Sequence, residues 1–250
     1  MMERLVSKVT SGLELRYTAL EKINCKRPVD RIRYFQKVVE GKIVLDLGAL
    51  DETAYVTKCE TDFWLHGVMA KSAKKLIGVD SSDLLDHHPS GLKAYENSVI
   101  FKGNVFDLSE IIKSNSDIEL VVAGEILEHL ENPLQFLRTI RQYKGLSGKK
   151  IYISTPNACT MSNVLIGLFR RESTHHDHVN IFSYKVLNTL CIKTNIKRWS
   201  IIPYYSAYTE MISNSSGIKK LGVKVFERFT RLLQFIFPLL GGGWIVEIEL

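Results

Sequence analysis

The chain lacks any long apolar run. Charged residues break every window of ~20, so no transmembrane helix is expected. Glu3, Arg4 and Lys8 interrupt the apolar residues near the amino terminus, which argues against a signal peptide. Cysteine is sparse. Cys25, Cys59, Cys159 and Cys191 lie far apart and form no C-x-x-C pair, which argues against a zinc site and for a reducing, cytoplasmic compartment. No basic stripe interleaved with aromatics appears. Lys149-Lys150, Arg170-Arg171 and Lys219-Lys220 are isolated pairs within a net charge of +6, so a nucleic-acid partner is not favoured. The G-x-G-x-x-G turn is absent, which disfavours a nicotinamide-dependent oxidoreductase. There is no internal repeat and no low-complexity linker. What remains is the balance of a globular chain, 45% hydrophobic and 24% charged over 250 residues, a size that suits one domain.

The stretch that organises this chain is Lys42–Glu52, KIVLDLGALDE. Its run Ile43-Val44-Leu45 reads as a strand buried on both faces, the parallel-sheet type. The run ends in Asp46, Leu47 and Gly48, and Gly48 allows the backbone to approach a ligand without a Cβ in the way. An acidic residue and a glycine turn at a strand's carboxyl end are how a doubly wound α/β sheet makes room for a nucleotide-like ligand.

Further strands follow in order: Lys75–Asp80, a short one opening Ser98–Leu108, Ile118–Ala123, Lys149–Ser154, Lys197–Tyr205 and Gly243–Glu249. Helices are expected over Met1–Glu21, Val29–Val39 with Pro28 at its first position, Asp62–Ala73, Leu134–Tyr143, Ser183–Asn195 and Lys219–Leu240. Strands alternating with helices mean a mostly parallel sheet. The organisation is then amino-terminal helices (1–40), a core (41–205), a helical insertion (206–242) and a last strand (243–250). The amino-terminal helices either pack on the sheet or cover a ligand pocket.

Asp80 tips the second strand. A carboxylate there can accept both hydroxyls of a ribose, or it can cap the segment that follows, with Ser81 or Ser82. Asn104 can offer an amide to an adenine edge while Val105 packs on the ring; the alternative is a turn before a capped helix. Glu125 stands just past the fourth strand, at the edge where ligands bind.

At this point the residues resemble the class I S-adenosylmethionine-dependent methyltransferases. VLDLGALDE looks like that family's first motif, LIGVD its second and GNVFDL its third. ELVVAGEILEHLENP looks like its fourth, in the form found in ubiquinone-type O-methyltransferases, and HVNIFSYKVLNTL resembles the segment after the fifth strand. The resemblance implies a seven-stranded sheet whose last strand is antiparallel, with S-adenosylmethionine as cofactor. It implies that Asp46, Leu47, Gly48 and Ala49 line the methionine and ribose portion. Asp80 and Ser81 would hold the ribose hydroxyls, Asn104 and Val105 the adenine, and Glu125 and Ile126 the amino-acid end. Ala49 and Leu50 replace glycines usual in the first motif. The spacing from Asp46 to Asp80 is long for the family, and the extra residues in Asp51–Asp62 are expected to form a flap, with Asp51 and His66 beside it.

A sulfonium donor is already activated, so catalysis is mainly the positioning of an in-line nucleophile. A hydroxyl acceptor adds the need for a general base, and histidine suits that near neutral pH. His129 and His178 are the candidates, with His175, His176 and Tyr204 as acceptor contacts. For His129 the alternative is a helix-start histidine bonded to a backbone carbonyl. In Thr174–Val179 a metal reading ranks below acceptor contact or loop structure, and no metal is expected. His87 and His88 are read as surface residues.

The acceptor is expected to be a small molecule, a sugar or a lipid-linked intermediate; a non-catalytic adenosyl-binding module is the rival from another class. Lys219–Leu240 is a basic amphipathic helix. Its apolar side either packs on the sheet, or forms an acceptor lid or peripheral membrane contact.

Overall fold

The computed structural model describes residues 20, 22–50, 55–56, 59 and 61–250. The helix expected over Met1–Glu21 and most of the Asp51–Asp62 flap, Asp51 included, lie outside these residues.

Five parallel strands make the centre of the sheet. β1 (Ile43–Leu47) lies between β2 (Lys75–Asp80) and β5 (Leu120–Gly124); β4 (Ser98–Lys102) pairs with β2, and β6 (Lys150–Pro156) with β5. β3 (Leu92–Tyr95) adds to β4 antiparallel at one edge. β8 (Gly243–Glu249) runs antiparallel between β6 and β7 (Arg198–Tyr204), giving the order β3-β4-β2-β1-β5-β6-β8-β7. The doubly wound, mostly parallel architecture with an antiparallel last strand matches the reading of the sequence, but the sheet has eight strands instead of seven. β3 escaped notice because it is short and half-buried, and its turn, Glu96-Asn97, carries no glycine.

β1 shows why this sheet needs cover on both faces. Leu45 and Leu47 enter one core cluster with Phe136, Ile140 and Leu187, while Val44 enters another with Phe35, Val39 and Met69. Each fully buried aliphatic side chain contributes roughly 1.5–3 kcal/mol. α1 (Arg31–Val39) buries Phe35 and Val39, one turn apart on one face. It starts later than Pro28 implied, because Asp30 caps it: Asp30 Oδ1 accepts from the Arg33 N–H at 3.2 Å. α2 is only Leu65–Ala70, well short of the expected Asp62–Ala73. α3 (Ser109–Ser114) follows β4. α4 (Pro133–Gln142) is capped by Asn132, whose Oδ1 accepts from Gln135 N–H, with Pro133 in its first turn. α5 (Met161–Leu168) precedes the histidine-rich loop, and α6 (Tyr184–Lys193) is capped by Ser183.

Pro203 sits in β7 opposite Trp244 and is tolerated because β7 is the sheet's edge. Gly243, facing Tyr204, leaves room for that ring; a Cβ there would collide with it.

After the short α7 (Thr209–Ser213), α8 (Gly217–Ile236) does not follow the first of the two alternatives, because its apolar side does not pack on the sheet. Its buried residues are Thr230 and Gln234, and Gln234 exchanges hydrogen bonds with Ser206: its Oε1 accepts from the backbone N–H and its Nε2 donates to the hydroxyl. Its apolar residues face outward: Ile218 (90% exposed), Leu221, Val225, Phe229, Leu232 and Ile236, at spacings of three and four. A polar anchor thus holds the helix by its narrow inner side. No helix among the described residues is long and apolar enough to cross a membrane.

Candidate active site

The carboxyl ends of β1, β2, β4 and β5 open onto a cleft of about 840 Å³, within the range of sites for small ligands. Gly48, directly after β1, has φ +76°, and a Cβ there would stand 3.1 Å from Ile126 Cδ1, so a side chain would be both strained and crowded. Asp80 is fixed at the cleft wall: its Oδ2 accepts from Leu50 N–H and its Oδ1 from Ser82 N–H, both at 2.9 Å. The cap of the helical turn that follows is Ser82, whose hydroxyl accepts from Leu84 N–H, while the Asp80 carboxylate keeps lone pairs for a ligand. Ser81, Asn104, Val105 and Ile126 line the same cleft. The Asn104 side-chain carbonyl accepts from Phe106 N–H at 2.9 Å, so its NH₂ is the part left to meet a ligand edge.

Glu125 is the strained residue of the site, with φ +56°. Three bonds hold it there. Its N–H donates to the Ser154 carbonyl at 2.9 Å, Arg31 Nη1 lies 2.8 Å from Oε1, and the Tyr204 hydroxyl donates to the same oxygen at 2.7 Å. Tyr204 is buried, and its pKa is pushed well above the usual phenol value, by burial first and by the Glu125 charge next. The hydroxyl expected to meet an acceptor meets Glu125 instead.

Asp46 and Leu47 do not line the cleft. Leu47 is wholly in the core. Asp46, with Ala49, borders a small adjoining void of about 20 Å³. The Asp46 carboxylate lies 2.7 Å from His66 Nδ1, and His66 Nε2 lies 2.6 Å from Ser98 Oγ. All three are buried, and this chain ties β1, α2 and β4 together beneath the cleft floor. Burial pushes the Asp46 pKa up, and the bond to His66 opposes it. His66 is therefore a core residue of the site's foundation.

His129, His175 and His176 line the cleft, and His178 abuts it: the His129 and His178 ring centroids are 4.7 Å apart. Among the described residues the His129 imidazole has no hydrogen bond, so the backbone-carbonyl role considered for it is not seen. The histidine loop is stitched to the end of β5: Val179 and Asn180 N–H donate to the Glu128 carbonyl at 3.0 and 3.1 Å, and Asn180 Nδ2 donates to the Leu130 carbonyl. Burial, then His129 and His175, lower the His178 pKa and keep its imidazole neutral. His175 and His176 are exposed and pair with Asp177.

Glu128 belongs to the ELVVAGEILEHLENP segment. It is 1% exposed, and neither carboxylate oxygen has a hydrogen-bond partner among the described residues. Its pKa is pushed up to about 8, by burial first and then by the Glu125 charge. The nearby Thr155 hydroxyl is likewise buried without a hydrogen bond of normal geometry. Arg31, the other residue the sequence did not announce, comes from an amino-terminal helix read only for its apolar face. The one available signal was a charged residue on the helix that precedes the opening strand.

A family model described as a methyltransferase domain matches residues 24–200. A methyltransferase of Thermotoga maritima, described as S-adenosylmethionine-dependent and as a possible histamine N-methyltransferase, is similar in structure at 11% identity and a TM-score of 0.50, covering 87% of this chain and 86% of its own. An S-adenosylmethionine-dependent methyltransferase of Archaeoglobus fulgidus aligns at 16% identity and a TM-score of 0.49, over 88% of this chain and 91% of that one. No curated protein matches the chain in sequence.

Proposed function

As this chain belongs to the methyltransferase-domain family, we propose that it transfers the methyl group of S-adenosylmethionine to a hydroxyl of a small molecule, sugar or lipid-linked acceptor. The observation that carries this reading is the cleft itself, where the Gly48 turn, Asp80 and Glu125 meet at the carboxyl edge of the sheet.

The residues fit the cofactor. Asp80 offers fixed acceptors to ribose hydroxyls, and Val105 and Ile126 offer apolar surface to the adenosyl part. Glu125, clamped by Arg31 and Tyr204, offers a carboxylate to an ammonium group. When bound, the cofactor supplies a methyl group already activated on a sulfonium. The chain's own task is to align the acceptor and take its proton. Neutral His178, with His129 beside it, is suited to accept that proton.

The lipid-linked acceptor has a specific observation behind it. The outward apolar stripe of α8 is flanked by Lys219, Lys220, Lys224 and Arg228, a pattern that suits the interface of an anionic bilayer. Leu168 and Phe169, also exposed, are followed by Arg170 and Arg171. They end α5, which leads into the loop whose His175 and His176 line the cleft.

Calorimetric titration with S-adenosylmethionine, S-adenosylhomocysteine and NAD tests the reading. Binding of the first two and not of NAD is expected. A folded protein that binds neither adenosyl ligand would overturn it.

A further inference from the structure

We propose that Glu128, His129 and His178 form a binding site for one divalent transition-metal ion at the wall of the cleft. One carboxylate oxygen and one imidazole nitrogen from each histidine all lie within 4.8 Å of one another. Ligand bonds of ~2.0–2.2 Å put donor atoms roughly 3–4 Å apart around an ion, so a small inward movement completes the set.

The independent observation is the Glu128 side chain. An ionised carboxylate this buried, with neither oxygen hydrogen-bonded among the described residues, is expensive unless a positive charge meets it; without one the group keeps its proton, which a bound cation would displace. Arg31, whose charge also reaches it, is engaged by Glu125. The His129 and His178 imidazole nitrogens come within 4.8 Å of a carboxylate oxygen, and the Thr155 hydroxyl near it has no hydrogen bond of normal geometry among the described residues. A cation bound between the three groups meets the carboxylate and gives both imidazoles a partner.

The backbone fixes the arrangement. Glu128 and His129 are adjacent on the single helical turn Leu127–His129 after β5, and the Val179 and Asn180 N–H bonds to the Glu128 carbonyl bring His178 to them. Two nitrogens and one oxygen favour Mn²⁺, Fe²⁺, Co²⁺ or Zn²⁺ over Ca²⁺ or Mg²⁺. Three protein ligands leave coordination positions open toward the cleft that His129 lines. In the metal-bound protein an acceptor oxygen could take one, the ion then assisting loss of its proton in place of His178, a role that rests on the methyltransferase reading; ion binding itself does not. His175, His176 and Asp177 have similar spacing, but they are exposed and Asp177 is already shared between both imidazoles.

The test uses the full chain, stripped with chelator, titrated with Co²⁺ by visible absorption and with Mn²⁺ by paramagnetic resonance. One ion per chain is expected, with absorption bands of nitrogen-ligated Co²⁺. Glu128→Gln, which keeps the buried shape, and His178→Ala should each weaken binding at least about tenfold. His176→Ala should bind as the wild type does. A folded protein that binds neither ion overturns the proposal. So does binding that Glu128→Gln and His178→Ala leave unchanged. S-adenosylhomocysteine is titrated in parallel: ion binding without adenosyl binding would uphold the metal site and sink only the methyltransferase reading.

Discussion

Tyr204, near the end of one edge strand, donates its hydroxyl to Glu125 Oε1 across the sheet at 2.7 Å. Arg31 meets the same oxygen from the other side of the chain's order. Together they hold a non-glycine residue in a left-handed conformation that costs about 1–3 kcal/mol. Tyr204→Phe keeps the ring in the space Gly243 leaves for it and removes only the hydroxyl. S-adenosylhomocysteine affinity should fall roughly fivefold, the worth of about 1 kcal/mol. Wild-type affinity by calorimetry would return Tyr204 to packing.

Asp80→Asn keeps one acceptor oxygen for the backbone and loses the charge offered to ribose hydroxyls. Hydrogen bonds to a charged group are worth about 1.5–3 kcal/mol, so adenosyl ligands should bind roughly 10–100-fold more weakly. The comparison is with the wild type, after circular dichroism shows equal folding.

The histidines should separate catalysis from cofactor binding. His129→Ala and His178→Ala should lower turnover by about 10²–10⁴ if they share proton removal, with a much smaller change in S-adenosylhomocysteine affinity. Equal losses in both quantities would show that they build the pocket instead.

Glu128 makes stability pH-dependent in the metal-free protein. Its folded pKa, about 8, lies above the ordinary 4.5, so the folded state holds a proton that the unfolded state has released. The resulting stabilisation is complete below pH ~4.5 and is lost as pH rises through about 8, several kcal/mol in all at ~1.4 kcal/mol per pH unit. Glu128→Gln should flatten that fall in urea unfolding compared at pH 6 and pH 9, on either side of the midpoint. A wild-type slope in the variant would assign the pH dependence to other groups.

Bilayer contact is tested by sedimentation with phosphatidylglycerol–phosphatidylcholine vesicles. Phe229→Asp with Leu232→Asp alters two outward side chains of α8 and should leave thermal stability unchanged. Lost burial of roughly 1.5–3 kcal/mol per side chain predicts at least tenfold weaker partition. Wild-type protein that stays in the supernatant would remove the bilayer from the proposed function.

Much of this was legible because buried parallel strands write themselves as apolar runs. Ile43–Leu47 and Lys75–Asp80 announced both their own positions and the carboxyl edge where Gly48 and Asp80 stand. Residues whose partners lie far along the chain were not legible. Asp46 was assigned to the ligand because nothing in the sequence links it to His66 and Ser98. The inverted packing of α8 was hidden for a different reason. Periodicity shows that a helix has an apolar face, but only the Gln234–Ser206 bonds decide which face turns inward.

The position of β8 reaches into the time course of synthesis. It stands between β6 and β7 in the sheet but follows both in the chain. Apart from β3, which waits only for the next strand β4, a growing chain can add each strand through β6 beside one already made, whereas β7 must wait for residues 243–249, its one ladder neighbour. Until then Tyr204, the bridge partner of Val29 and a clamp on Glu125, lacks its ladder partner Gly243. The sheet therefore keeps a slot open between β6 and the place of β7 until residues 243–249 arrive, and the cofactor cleft is finished by that strand.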